Sequence, residues 1–483
     1  MSTTKQAKYA NISISYIYLF ASLLSLFLSW LWLSYDQPIN IDGILYLRVA
    51  KTFLHHGFNA AAHTYSWPFF SIMIAYISKL SHLSLLTSAH LLVSFFYVLI
   101  VIGFMNLVKT MGGNKQTIVI AALVVLFFPT LAHERAFIYR DFGYYAFALF
   151  ALAALIQYDR YNKTTHALLW GIYISIATLF RIEGVIFFLF APLLLLFNSR
   201  LSWIEKIVIY CKANIILLIA AIIFVYLRKF GNTTSHSLTL MQLLSNVASV
   251  FSSTQIKLHS FIQVIKHNFN TFIGQNAKLI LFGGMFAIFF MAFLATLTAV
   301  LALLALIFWL KIKFNFAAKT RKHIYAFIVL NLIILTAFLL QTFFLIPRYM
   351  MFLGLIILTI IPFGIENILN RWDILVNKTW QNILLKTLFV LVALNLLISS
   401  AVHIGADKSY IIKSGKWLNA HTSTKDRFYI NAPRIAFYSQ RQNANPYIYG
   451  ASFSYQNLEK INSAQYDFYV LQVNHHNVQA AKN

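Results

Sequence analysis

DQPINIDGILYLRVAKTFLHHG, Asp36 to Gly57, is the stretch on which the reading of this chain turns. It follows at once on an apolar run, Ser13 to Ser34, long enough to cross a bilayer as a helix rising about 1.5 Å per residue. The stretch therefore starts in water at a membrane surface. From Asp42 onward Ile44, Leu45, Leu47, Val49, Ala50, Phe53 and Leu54 are set among Arg48, Lys51, His55 and His56 at helical spacing. Such a helix lies in the interface plane with its apolar face down. Asp42 stands at its N-terminal end, where the helix dipole favours an ionised carboxylate. It reads either as an N-cap accepting backbone N–H groups or as an acid kept for its chemistry.

Composition supports the membrane reading for the whole chain. Of 483 residues, 60% are hydrophobic and 11% charged, and mean hydropathy is +0.70; a soluble protein of this length carries far more charge. The formal net charge of +25 comes from Lys and Arg scattered in short loops between apolar runs. They read as topology signals and contacts to anionic membrane lipid, with no nucleic-acid partner expected. The single cysteine, Cys211, excludes an internal disulfide and any Cys-based metal cluster. Lys5 and Lys8 precede the first apolar run, which is expected to stay uncleaved with its N-terminus in the cytosol.

Working outward, the first external loop spans 35–82, with HTYSWPFFSIMIAYISKL lying along the surface and Pro68 setting its start. Crossings are expected at Leu83 to Val108, Ile118 to Leu131, Phe142 to Tyr158, Ala167 to Phe180, Val185 to Phe197 and Ile207 to Leu227. Further crossings are expected at Leu279 to Leu310, Ile324 to Ile346, Met350 to Ile365 and Leu384 to Val402. The runs on either side of Arg181 to Gly184 could instead form one long helix. The hairpin is preferred because it places Arg200, Lys206, the Lys311 to Lys322 cluster, Arg371 and Lys378 in cytosolic loops. An external polar segment, 228–278, carries one or two surface helices. The fold class is thus an all-α polytopic membrane protein of about eleven transmembrane helices, residues 1–402, followed by a small extracytoplasmic α/β domain at 403–483.

On this topology Asp42, Glu134, Asp141, Arg181, Glu183 and Arg348 all fall at the outer ends of helices far apart in sequence. A transporter would instead place ionisable groups or helix breakers near the midplane of several helices. Chemistry at the outer leaflet has no access to cytosolic nucleotide-sugars, so a transferase there needs a donor delivered within the membrane, such as a sugar on a polyprenyl phosphate. Asp42 is the candidate base, and Arg181 and Arg348 the candidate phosphate holders, because guanidinium binds two phosphate oxygens together. Each has a plainer reading. Arg181 and Glu183 would pair with one another at a hairpin, Arg348 would anchor to headgroups, and Glu134, Arg135, Arg140 and Asp141 in HERAFIYRD would close a loop as a salt-bridge set. His63 and His133 could join Asp42 or Glu134 around a divalent metal, though no regular ligand spacing supports it.

Asp-Gly-x-x-Tyr-x-x-x-Ala at Asp42, Gly43, Tyr46 and Ala50, followed by Tyr65 and Pro68, resembles the GT-C type glycosyltransferases. The groups it is most similar to are the protein mannosyltransferases, the lipid A aminoarabinose transferases and related bacterial lipopolysaccharide sugar transferases. The Arg181 to Gly184 turn and Pro347-Arg348-Tyr349 resemble later segments of the same families. The resemblance implies an inverting transfer from a polyprenyl-phosphate sugar to a glycan, lipid or protein acceptor. It implies Asp42 as base and an extracytoplasmic site in a multi-pass plasma (inner) membrane protein of the cell envelope. Related enzymes commonly carry Asp-Glu in the first loop; here the second residue is Gly43, and Glu134 is the carboxylate to test in its place. The competing expectations are a carrier or flippase of a lipid-linked saccharide, and a non-catalytic membrane component that docks a partner through its C-terminal domain.

Overall fold

The computed structural model describes residues 13–35, 37–197, 201–217, 219, 240–269, 271–311, 318–371, 379–402, 407–423, 425–441 and 466–472. Asp36, Arg200, Lys313, Lys378, the second half of Ile207 to Leu227, residues 228–239 and about half of 403–483 lie outside the described residues.

The apolar runs become helices. They are α1 (Ile14–Ser34), α2 (Ile41–Thr64), α3 (Phe69–Ser81), α4 (Leu85–Met111), α5 (Lys115–Leu126), α6 (Pro129–His133) and α7 (Asp141–Tyr161). There follow α8 (Thr164–Phe180), α9 (Gly184–Phe190) continued by a 3-10 turn at Ala191–Phe197, α10 (Trp203–Ala213), α11 (Leu240–Asn268) and α12 (Thr271–Gln275). Next come α13 (Ala277–Leu297), α14 (Ala299–Lys311), α15 (Ala318–Thr342), α16 (Pro347–Leu358), α17 (Ile360–Asn370) and α18 (Thr379–Ala401). The chain ends in α19 (Ser409–His421), β1 (Phe428–Ile430), α20 (Pro433–Tyr438) and β2 (Phe468–Val470).

Among the described residues seven helical segments are long and apolar enough to cross a membrane: those beginning at Ile14, Leu85, Asp141, Ala277, Lys319, Pro347 and Asn382. Three more of the expected crossings fall on shorter apolar helices, α5, α8 and α9 with its 3-10 turn.

Two expectations need correction. Leu279 to Leu310 is two helices, broken where Thr298 takes φ 62° and ψ 148°; an unbroken apolar run gives no sign of that break. The described residues of the polar segment hold α11 and the short α12, in keeping with the one or two helices expected there. Asp42 is not the N-cap: Asn40 holds that position and Asp42 sits in the first turn.

Contacts divide the chain into two units. The first comprises Met1–Leu28, Ser94–Glu134 and Arg140–Ala401, and the second Ser29–Val93, Arg135–Tyr139 and Val402–Asn483.

In the first unit α7 is buried along most of its length. Ala146, Ala148, Ala151, Ala153 and Ala154 let neighbouring helices approach it, as small residues do in membrane interfaces. Gly143 is needed for this packing, because a Cβ there would lie 2.7 Å from the Phe180 ring. That ring meets Phe96 edge-on at 5.1 Å and stacks on Phe147 at 6.2 Å.

In the second unit α2 packs on α3, and Tyr46 is buried in an aromatic group with Phe70 at 5.1 Å and Tyr65 at 5.9 Å. The regular part of α2 ends at Gly57, whose φ of +76° is open to glycine and strained for other residues. β1 and β2 pair in parallel, Phe428 opposite Phe468. With α19 and α20 they enclose a small core of Ile411, Leu418, Phe428, Ile430, Ala432 and Ile435. The Ile39 N–H donates to the Tyr438 hydroxyl at 2.9 Å, fastening the start of the first loop to α20.

Candidate functional site

Helix ends decide where the charges of the first unit can sit. The helix started at Thr164 stops at Phe180 because Arg181 adopts an extended backbone, φ −141° and ψ 130°. Glu183 then precedes α9, and Gly184 fits against Thr178, its missing Cβ position 2.5 Å from the Thr178 hydroxyl oxygen. The hairpin reading is therefore correct and the single long helix is not. Far along the chain, Pro347 opens α16 at its first position, a place where a missing N–H costs nothing. Arg348 and Tyr349 are thereby held at a helix start.

The first unit gathers these turns around the N-terminus of α7. Arg181 pairs through one terminal nitrogen with the buried Asp141 carboxylate and through the other with Glu183. Its guanidinium lies 5.2 Å from the centre of the Tyr349 ring and 5.9 Å from that of Tyr144. Arg348 approaches the same Tyr349 ring at 5.2 Å and donates to the Tyr349 hydroxyl at 3.3 Å. One phenol ring is thus shared by two guanidiniums, each favourable by roughly 0.5–2 kcal/mol according to how far it is desolvated.

The backbone under Arg348 is fixed from two sides. Tyr145 in α7 donates to the Arg348 carbonyl at 2.6 Å. Thr296 at the end of α13 donates to the Pro347 carbonyl at 3.1 Å, and Thr130 in α6 donates to the Thr296 carbonyl at 2.6 Å.

Burial works against the ionised Glu183 carboxyl, and Arg181 beside it more than offsets this, so the group titrates below the usual range. Glu134 goes the other way. Burial pushes its carboxyl up to about 8, further than Arg348 pulls it down, and Asp141 adds to the rise. Its Oε2 is closed to solvent and has no hydrogen-bond partner among the described residues. At neutral pH the cluster therefore sets Arg140, Arg181 and Arg348 against Asp141 and Glu183, with Glu134 holding its proton. Among the described groups named here, three guanidiniums stand against two carboxylates, a set suited to an anion.

Of the residues singled out in the sequence, Glu134, Arg140, Asp141, Arg181, Glu183, Arg348 and Tyr349 belong to the first unit, and the cluster is built from them. Asp42, Tyr46 and Arg135 belong to the second. Arg135 is fully buried there and donates to the Ser29 hydroxyl at 2.8 Å. HERAFIYRD is thus split between the two units. Its Asp141 pairs with Arg181, forty positions on, which a salt-bridge set internal to the loop does not describe.

Sequence reasoning missed Asn40. Its side-chain amide donates to the Ile138 carbonyl at 3.0 Å and accepts from the Ile138 N–H at 2.8 Å. That double bond ties 135–139 to the start of the first loop, two residues before Asp42. It also explains Gly43: a Cβ at that position would lie 2.8 Å from the Asn40 side-chain oxygen and 3.1 Å from the Ile138 Cβ. The missing second acid is a matter of space. Its only signal in the sequence was an Asn just ahead of a helix, which reads as an ordinary cap.

Among the described residues no three His, Cys, Asp or Glu side chains stand together as metal ligands would. No family model matches the sequence, and no curated protein matches it either. Among solved structures it is similar to the apo crystal structure of the oligosaccharyltransferase of Archaeoglobus fulgidus, with 13% identity and a TM-score of 0.43. The alignment covers 92% of this chain and 62% of that one.

Proposed function

We propose that the chain is a membrane glycosyltransferase that moves a sugar from a polyprenyl-phosphate donor to an acceptor at the extracytoplasmic face, with inversion at the anomeric carbon. The observation that supports it best is the pair of arginines sharing the Tyr349 ring in this cluster. A phosphate ester delivered within the bilayer is the anion such a cluster suits.

In the proposed reaction an acceptor oxygen or nitrogen attacks the anomeric carbon as its proton passes to Asp42. The bond from that carbon to the phosphate oxygen breaks, and the polyprenyl phosphate leaves with the electron pair. Asp42 receives this role from its place in the first loop. Arg348 is the first phosphate ligand. Arg181, engaged by two carboxylates, serves to hold Asp141 and Glu183 in place and adds its field. Membrane lipid surrounds the site as solvent, and a divalent metal is not part of the proposed step.

The test is a purified lipid-donor assay with radiolabelled sugar. Asp42→Asn should abolish transfer, and Arg348→Ala should raise the donor KM by about tenfold or more, about 1.4 kcal/mol, while the acceptor KM stays within twofold. Turnover retained by Asp42→Asn removes Asp42 from the mechanism, and an unchanged donor KM removes Arg348.

A further inference from the structure

The C-terminal end of α7 carries a second charged group, built from residues that the proposed reaction does not use. Asp159 is buried and faces Lys322 Nζ at 2.8 Å, His323 Nε2 at 3.0 Å and Lys319 Nζ at 3.5 Å. Lys319 also donates to the Asp159 carbonyl, and Lys322 to the Leu194 carbonyl at 3.3 Å. Arg160 reaches across to the Thr320 hydroxyl at 2.7 Å and the Thr110 carbonyl at 3.0 Å. Arg321, between the two lysines, is exposed. Of these four permanent cations, Lys319 and Lys322 face the carboxylate.

Three of them, Lys319, Arg321 and Lys322, stand in the first turns of α15, at the positive end of its dipole, where cations are disfavoured and an anion is favoured. An ammonium has three N–H donors. The bonds above leave at least one on each lysine, and the lysine side chains are 43% and 28% exposed. His323 is fully buried, and its Nδ1 has no partner among the described residues. Both α7 and α15 are among the helices able to cross a bilayer. Their charged ends therefore belong to the headgroup layer, where the anions are phosphate esters.

We propose that this cluster binds the phosphate of an anionic phospholipid headgroup, with Lys319, Lys322 and Arg321 as its contacts and Asp159 and His323 holding the lysines in place.

The experiment is native mass spectrometry of the purified full chain, delipidated in neutral detergent and titrated with dioleoylphosphatidylglycerol or dioleoylphosphatidylcholine. Phosphatidylglycerol should bind at least tenfold more tightly. The Lys319→Gln/Arg321→Gln double variant, which leaves Lys322 and His323 on Asp159, should lower it to the phosphatidylcholine level, whereas Lys319→Arg should keep it. Equal binding of the two lipids by the wild type, or undiminished phosphatidylglycerol binding by the double variant, overturns the proposal. Full displacement of the lipid by millimolar ammonium phosphate would mark a site for free phosphate and overturn it too. If the double variant fails to insert, the comparison of the two lipids on the wild type decides alone.

Discussion

At the N-terminal end of α7, Asp141 meets one guanidinium that Glu183 also claims; at the C-terminal end, Asp159 meets two ammonium groups and an imidazole. Both acids are buried, but the first is bonded by a single side chain, with Arg348 and Arg140 acting on it through their charge alone, and the second is bonded by several. A carboxylate with one bonded partner depends on it most, since a buried ion left alone costs several kcal/mol. One with three partners tolerates the loss of any. The contrast separates an end where position is tightly specified from one where cations are in surplus.

The largest expected effect tests that directly. Arg181→Ala removes the one cation bonded to both Asp141 and Glu183 and should lower stability by about 3–5 kcal/mol, read as a drop in the thermal unfolding midpoint in detergent. A drop no larger than that of an exposed surface change would mean that Asp141 has other support. Gly143→Ala, which drives a methyl group into the Phe180 ring at the same end, should cost about 1–3 kcal/mol by overpacking. Lys322→Ala at the far end should cost only about 1 kcal/mol, because Lys319 and His323 still face Asp159. A loss equal to that of Arg181→Ala would erase the distinction between the ends.

The smallest effect is a slope with pH. The Glu134 carboxyl titrates at about 8 in the folded chain against an ordinary 4.5, so the folded state holds its proton more tightly than the unfolded state does. Its contribution to stability is complete below about pH 4.5 and is lost as pH rises through 8. Glu134→Gln should flatten the decline in unfolding midpoint across that window, and an identical decline in wild type and variant would assign the slope elsewhere.

Much of this was legible in the sequence, for physical reasons that can be named. Apolar runs of crossing length announce helices whatever their neighbours, and Arg181-Ile182-Glu183-Gly184 and Pro347-Arg348-Tyr349 interrupt them with residues that cannot stay in hydrocarbon. The turns and the charges at them were therefore readable. The break at Thr298 was not, since a local φ of 62° leaves no trace in hydropathy. Nor was the fate of Tyr46, which the first-loop pattern offered as a site residue and the second unit buries against Phe70 and Tyr65. Pairings across long stretches of chain, Asp141 with Arg181 or Asn40 with Ile138, depend on packing that only the folded chain supplies.

The amide at position 40 has a consequence for how this loop can change. It gives one hydrogen bond and takes another from a single residue, Ile138, so an isosteric aspartate would turn the giving half into repulsion between two oxygens. It also occupies the volume that any side chain at 43 would need. A side chain at 43 is therefore opposed by Asn40, Ile39 and Ile138 at once. A chain that gained an acid next to Asp42 would have to move Ile39 and Ile138 as well as the amide that anchors 135–139, which makes the Asp-Gly pair a commitment of this backbone rather than a neutral spelling of Asp-Glu.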